Sequence, residues 1–243
     1  TFIVLGLSGC SHQYPLLPNP ESTQKIEGIK VTYILPNDII KTSDTINGIY
    51  LDQYGGRTLD ATSFLKSGGQ TGRKERLHFD NKGNQLEIER RTDNGIAGSG
   101  VVCIVDFDVI SEPDRTKVVF TPKTRRTYQQ GVLLPFPVPD FDVETYLLEG
   151  QLTTSFEMDA DYPPEAVRAN LRRLLHGGLE DRYTLDNENE QIIMTVRVDP
   201  YKHNQSKLTI NATIYNKRSN NRIINMVEKI NALKKQLHNA VNA

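Results

Sequence analysis

The sequence predicts an α+β protein: two tandem antiparallel-sheet-plus-helix modules that follow a flexible N-terminal segment. Three observations point there. Short runs of alternating apolar and polar residues recur between Asp, Asn and Gly turns, as in antiparallel strands with one solvated face. Two stretches, beginning near Val167 and Ile223, repeat apolar residues every three or four positions, which is the period of an amphipathic helix. Finally, Arg76-Leu77-His78-Phe79-Asp80-Asn81-Lys82-Gly83-Asn84-Gln85-Leu86 sets beside Arg182-Tyr183-Thr184-Leu185-Asp186-Asn187-Glu188-Asn189-Glu190-Gln191-Ile192, with Arg, Asp, Asn and Gln matching and the apolar positions falling together. Repeats of this kind fix architecture before any single element does. Two unrelated hairpins with common turn chemistry would look similar, so duplication is an expectation for the register to test.

In chain order, Ile29, Val31, Tyr33 and Leu35 alternate as a half-buried strand that Pro36 stops. Residues 38 to 67 are the least legible, with a short helix expected over Leu59 to Lys66, ended by Gly68-Gly69. Arg76 to Phe79 and Gln85 to Arg91 flank an Asn/Gly turn and read as a hairpin. Val101 to Ile110 is a long strand whose apolar start implies burial on both faces, and Glu112-Pro113-Asp114 turns it into Lys117 to Phe120. Pro135, Pro137 and Pro139 mark a boundary. Its apolar residues, Leu133, Leu134 and Phe136 among them, are unlike a plain linker and are expected to pack against a domain or a partner.

The second half opens with a strand over Leu152 to Met158. Pro163-Pro164-Glu165 starts a helix, because proline suits the first turn and a carboxylate there complements the helix dipole. Val167, Leu171, Leu174 and Leu175 form its apolar face, and Gly177-Gly178 ends it. Three strands follow, at Asp181 to Leu185, Gln191 to Val198 and Lys207 to Tyr215. A last helix carries Ile223, Val227, Ile230, Leu233, Leu237 and Val241 on one face. The expected division is a first module at 26–130, a Pro-rich apolar connection at 131–145, and a second module with the C-terminal helix at 146–243.

Composition bounds the function. A formal net charge of −1 over 243 residues excludes a strongly basic nucleic-acid surface. After the first few residues no stretch approaches the roughly 20 apolar residues that span a bilayer. The chain has two cysteines. Cys103 sits in Val101-Val102-Cys103-Ile104-Val105 and reads as a buried structural thiol rather than a nucleophile.

The stretch Phe2 to Leu7 is apolar and ends in Leu7-Ser8-Gly9-Cys10. It resembles the lipobox of bacterial lipoproteins, in which a signal peptidase cuts before the cysteine and the thiol carries a diacylglycerol. The resemblance implies a signal-peptide remnant at 1–9, acylation of Cys10, and a lipidated tether at 10–25 punctuated by Pro15, Pro18 and Pro20. Ser11, rather than Asp, after the cysteine implies the outer membrane, with the folded part on its periplasmic face. The order of strand, helix and meander, taken with the lipobox and tether, is similar to the tandem helix-grip domains of the accessory lipoprotein of the outer-membrane barrel-assembly machinery. That likeness is one of topology and rests on no diagnostic motif.

Candidate chemistry is sparse. Ser63-Phe64-Leu65-Lys66 matches Ser-x-x-Lys, but the companion motifs of penicillin-recognising enzymes are missing. The five histidines have no metal-ligand spacing. Asp106 and Asp108 share a strand face and are expected to be solvated. Arg168, Arg172 and Arg173 cluster on one helix; a solvated face is the default, and phosphates or carboxylates are what such a patch would meet. These readings lead to a non-enzymatic, outer-membrane-anchored lipoprotein of an envelope assembly. It would bind the membrane through Cys10 and an envelope protein through its folded part, with no cofactor and no nucleic acid. The alternative is a lipid or small-molecule binding module of helix-grip type, and a cell-wall binding or hydrolysing protein comes third.

Overall fold

The computed structural model describes residues 22–37, 72–79, 84–93, 98–130, 138, 140–175, 181–217 and 221–242. The expected helix at Leu59 to Lys66, the Gly-Gly pairs, Cys10, Leu133, Leu134 and Phe136 lie outside them.

The first sheet contains β1 (Ser22–Lys25), β2 (Val31–Pro36), β3 (Gly72–Phe79), β4 (Gln85–Asp93), β5 (Gly98–Ser111) and β6 (Arg115–Gln130). A short helix α1 (Val143–Leu148) leads into a second sheet. There β7 (Gln151–Ala160), α2 (Pro164–Leu174), β8 (Arg182–Asp186), β9 (Glu190–Pro200) and β10 (Ser206–Asn216) follow in order. The described chain closes with β11 (Ile223–Asn225) and α3 (Met226–Val241). The order is β11-β2-β6-β5-β4-β3 in the first sheet, with β1 also on β6, and β7-β10-β9-β8 in the second. The protein is thus α+β, with two sheets and few helices, compatible with two sheet-plus-helix modules.

Local chemistry sets the element ends. Asp142 caps α1 by accepting from the Glu144 amide, at 3.0 Å. Pro163 and Pro164 start α2 without a side-chain cap, and Asn225 accepts from the Glu228 amide to start α3. At Gly100 an added Cβ would lie 2.4 Å from the ring of Tyr128, its cross-strand partner. The glycine therefore lets an aromatic side chain fold over the strand. On β6 the register shifts opposite Ile104 and Val105, where Pro122 lacks a ladder donor. On its other edge, β6 changes partner near the same place, from β2 to β1.

The two hairpins agree in register. Phe79 pairs with Leu86 and Leu77 with Ile88, just as Leu185 pairs with Ile192 and Tyr183 with Met194. The match extends to the third strand. Leu86 and Ile88 face Val105 and Cys103, and Ile192 and Met194 face Ile214 and Ala212. The halves part at the fourth ladder position, which β6 fills in the first sheet and β7 in the second. In both sheets the strand that opens the half lies beside the last strand of the meander.

Three elements differ from the sequence reading. The tether expected to run to residue 25 is already a strand at Ser22–Lys25, paired with Thr124 to Thr127. All four of its residues are exposed, so hydrophobic patterning gives no sign of it. Ile223 does not begin the last helix: Ile223–Asn225 is β11, parallel to β2 of the first sheet, and the helix starts at Met226. The pairing spans most of the chain, which local periodicity does not record. Finally, α1 straddles the expected boundary at residue 145, within a stretch read as connection.

Buried side chains from both sheets and all three helices form one continuous core. Val167 and Leu171 of α2 and Ile230, Leu233 and Leu237 of α3 belong to it, with Val196, Val198, Leu208 and Ile210 from the second sheet and Val31, Tyr33 and Leu35 from the first. Burying each such side chain contributes about 1.5–3 kcal/mol.

Candidate functional site

The sequence singled out Arg168, Arg172 and Arg173 on α2. One helical turn separates Arg168 from Arg172, so the two share a face, and that face meets the entry to β8. Asp181, just before β8, adopts a left-handed backbone (φ 55°), a region that Asp tolerates better than most residues. The turn brings its carboxylate to both guanidiniums: Arg168 Nε stands 3.7 Å from Oδ2 and Arg172 Nη2 3.7 Å from Oδ1. These are ion-pair distances, well beyond the roughly 2.7–2.9 Å of a charge-assisted hydrogen bond. Arg168 is fixed from behind by a 2.7 Å bond from Nη2 to the Val198 carbonyl of β9. Arg173 points elsewhere, towards Asn170 Oδ1 at 3.4 Å.

Beneath this pair lies Tyr183, the inward-facing residue of β8, only 1 % exposed. Its hydroxyl has no hydrogen-bond partner among the described residues, and neither does Asp181 Oδ1. Burial, reinforced by the Asp181 carboxylate, holds the phenol above its ordinary pKa, while the neighbouring Arg172 and Arg168 guanidiniums pull the other way. The result is two guanidiniums, a carboxylate and a protonated phenol gathered where α2 meets the start of β8, with Asp181 Oδ1 and the Tyr183 hydroxyl buried and outside hydrogen-bond geometry. Neither Asp181 nor Tyr183 is evident from sequence as a site residue, since one reads as a turn and the other as a strand interior. The available signal is a tyrosine at an inward strand position, whose hydroxyl needs a partner.

A contrasting polar junction joins the two sheets. The buried Tyr33 hydroxyl of β2 donates to the Leu147 carbonyl at 2.8 Å and accepts from the Gly150 amide at 2.8 Å. Asn216, also buried, donates to the Leu148 carbonyl, so the C-terminal end of α1 is held from both sheets. Outside, Arg222 pairs with Glu144 and donates to the Gly28 carbonyl at 3.1 Å.

The remaining sequence candidates are placed as follows. Asp106 accepts from Gln85 Nε2 at 2.9 Å and stands 3.5 Å from Lys123, and Asp108 is exposed. Cys103 is wholly buried, and burial pushes its thiol up to about 12 despite the nearby Arg125. Arg90 donates to the Asp140 carbonyl at 2.8 Å and lies over the Phe141 ring. An open cleft of about 540 Å³ lies between the β8–β9 turn and α3, lined by Asn187, Glu190, Glu228 and Lys229 among others. Among the described residues no group of three or more His, Cys, Asp and Glu is placed to hold a metal ion, and no helix is long and apolar enough to cross a membrane.

No protein-family profile matches the chain, and no curated protein matches it. One solved structure, the di-domain ARO/CYC StfQ from the steffimycin biosynthetic pathway, is similar over 78% of this chain and 85% of that one, at 8% identity and a TM-score of 0.19. A likeness that slight carries no argument about fold or activity.

Proposed function

We propose that the protein is a lipid-anchored, non-enzymatic component of a bacterial envelope assembly, held on the periplasmic face of the outer membrane through Cys10 and binding another envelope protein. The observation that carries this reading is Leu7-Ser8-Gly9-Cys10 at the end of an apolar run, followed by a proline-punctuated polar stretch. Residues 11 to 21 separate that cysteine from β1. Fully extended they reach about 35–40 Å, enough to let a folded body stand clear of lipid headgroups. The two acyl chains of a diacylglycerol suffice for stable anchoring, since a single chain binds a bilayer only marginally. The exposed guanidiniums of α2, with Arg172 and Arg173 outermost, offer a charged surface to a partner.

The alternative, a lipid-binding module of helix-grip type, needs room between helix and sheet. Val167, Leu171, Leu233 and Leu237 instead lie in a core continuous with both sheets, which favours the interaction reading.

Fractionation and crosslinking test the proposal together. The full-length protein is expected to sediment with outer membrane and to yield a discrete crosslinked protein partner after solubilisation. The Cys10→Ala variant is expected to leave the membrane fraction. A Cys10→Ala protein that stays membrane-bound would overturn the anchor, and an intact anchor with no recoverable partner would overturn the interaction.

A further inference from the structure

We infer that the cluster of Arg168, Arg172 and the Tyr183 hydroxyl is a binding site for a phosphate-type oxyanion, with Asp181 as the internal anion held there in the free protein. The site stands on its own geometry and needs neither the anchor nor a protein partner.

Four features converge. Arg168 and Arg172 project from one face of α2, and Arg168 is immobilised by its bond to the Val198 carbonyl, so its guanidinium is positioned in advance. The Asp181 carboxylate lies against both guanidiniums at 3.7 Å, forming an ion pair without a direct hydrogen bond. It also leaves the adjacent Tyr183 hydroxyl unbonded. The hydroxyl is buried with its residue 1 % exposed, and burying a donor without a partner is a cost that native interiors seldom tolerate. Lastly, Asp181 is one of two described non-glycine residues with positive φ, and the backbone there is fixed in the conformation that delivers its carboxylate to the arginines.

The chemistry selects the ligand class. Held by its own backbone, the Asp181 carboxylate reaches neither guanidinium at hydrogen-bond distance, each standing 3.7 Å away. A tetrahedral oxyanion has oxygens pointing in different directions, so one can accept from Arg168, one from Arg172 and one from Tyr183, each at charge-assisted distance. Tyr183 is suited to the donor role because burial and the Asp181 carboxylate keep its hydroxyl protonated, and a bound anion acts in the same direction. With Asp181 displaced, the two guanidiniums supply the balancing charge. Arg173, turned towards Asn170, is outside the cluster. A free phosphate and a lipid phosphate headgroup present the same recognition chemistry.

The test uses the full chain, titrated with inorganic phosphate by calorimetry or NMR, and with vesicles of phosphatidic acid or phosphatidylcholine. Saturable binding of phosphate, or of phosphatidic-acid vesicles but not phosphatidylcholine vesicles, is expected. Phosphate alone would indicate the free anion, and phosphatidic acid alone the headgroup. Asp181→Asn removes the competing internal anion and should tighten binding at least threefold. Arg172→Gln and Tyr183→Phe should each weaken it about tenfold, whereas Arg173→Gln should change it less than twofold. Arg168→Lys, which keeps the charge but loses the fork, tests the remaining arm without stripping the Val198 carbonyl of every donor. An unfolding midpoint for each variant close to that of the wild type shows that the fold is retained. Binding of neither probe overturns the inference. So does an Asp181→Asn variant that binds no tighter, or an equal loss from Arg172→Gln and Arg173→Gln, which would mean a diffuse basic surface.

Discussion

Two tyrosines, one in each sheet, are equally buried and have opposite surroundings. Tyr33 in β2 uses its hydroxyl twice, donating to Leu147 and accepting from Gly150, and so ties the first sheet to the turn that opens the second. The Tyr183 hydroxyl in β8 has no partner in hydrogen-bond geometry among the described residues, although the Asp181 carboxylate and the Arg172 and Arg168 guanidiniums are close enough to act on its pKa. A buried polar group that is fully bonded acts as a joint. One left unbonded beside charges it does not engage marks a place where something else fits. The sheets therefore share a hairpin register but divide their polar interiors differently: the first closes on its neighbour, and the second leaves a buried hydroxyl unbonded beneath α2.

The comparison is broken most severely through the hairpins themselves. Leu86 and Ile192 occupy equivalent positions, each facing an apolar partner across two ladders. Leu86→Ala and Ile192→Ala should each lower stability by about 2–5 kcal/mol in denaturant unfolding. A large loss from one and a negligible loss from the other would show that the matching registers do not mean matching structural roles.

Next in size is the joint. Tyr33→Phe leaves a buried carbonyl without its donor and a buried amide without its acceptor, and should cost about 1–3 kcal/mol. The contrasting substitution, Tyr183→Phe, removes a buried hydroxyl that has no partner. It should leave stability unchanged or raise it by up to about 1 kcal/mol. Equal losses from the two would contradict the contrast directly.

Much of this was legible in the sequence. The alternation around Asp80-Asn81 and Asp186-Asn187 gave both hairpins, and the matched Arg76 and Arg182 fall at equivalent places in the two ladders. Proline at the start of α2 and the apolar repeats of α2 and α3 located both helices. What escaped was non-local. The parallel pairing of β11 with β2 joins residues far apart in the chain, and three residues carry no strand periodicity. β1 has no buried side chain to announce it. In the site, the arginines were visible as a one-turn repeat. Asp181 and Tyr183 were not, because their roles come from a left-handed turn and from a hydroxyl's surroundings, neither of which composition records.

A smaller effect concerns Cys103 in the first sheet, where Ala212 holds the equivalent place in the second. Its thiol pKa rises from an ordinary 9.0 to about 12 on folding, because burial disfavours the thiolate. The folded state therefore keeps its proton longer than the unfolded state does. The resulting stability is fully present below pH 9 and is lost as pH rises from about 9 to about 12. Unfolding measured across that range should show a shallower decline for Cys103→Ala than for the wild type, and native protein at pH 8 should react with thiol reagents only as fast as it opens.

The most direct measurement is a phosphate titration followed by NMR of tyrosine ring carbons, with Tyr33 and Tyr183 assigned from their phenylalanine variants. The expected result is a saturable shift of the Tyr183 signal, abolished in Arg172→Gln, while Tyr33 stays still. A Tyr183 signal that does not move, or one that moves together with Tyr33, would contradict the site.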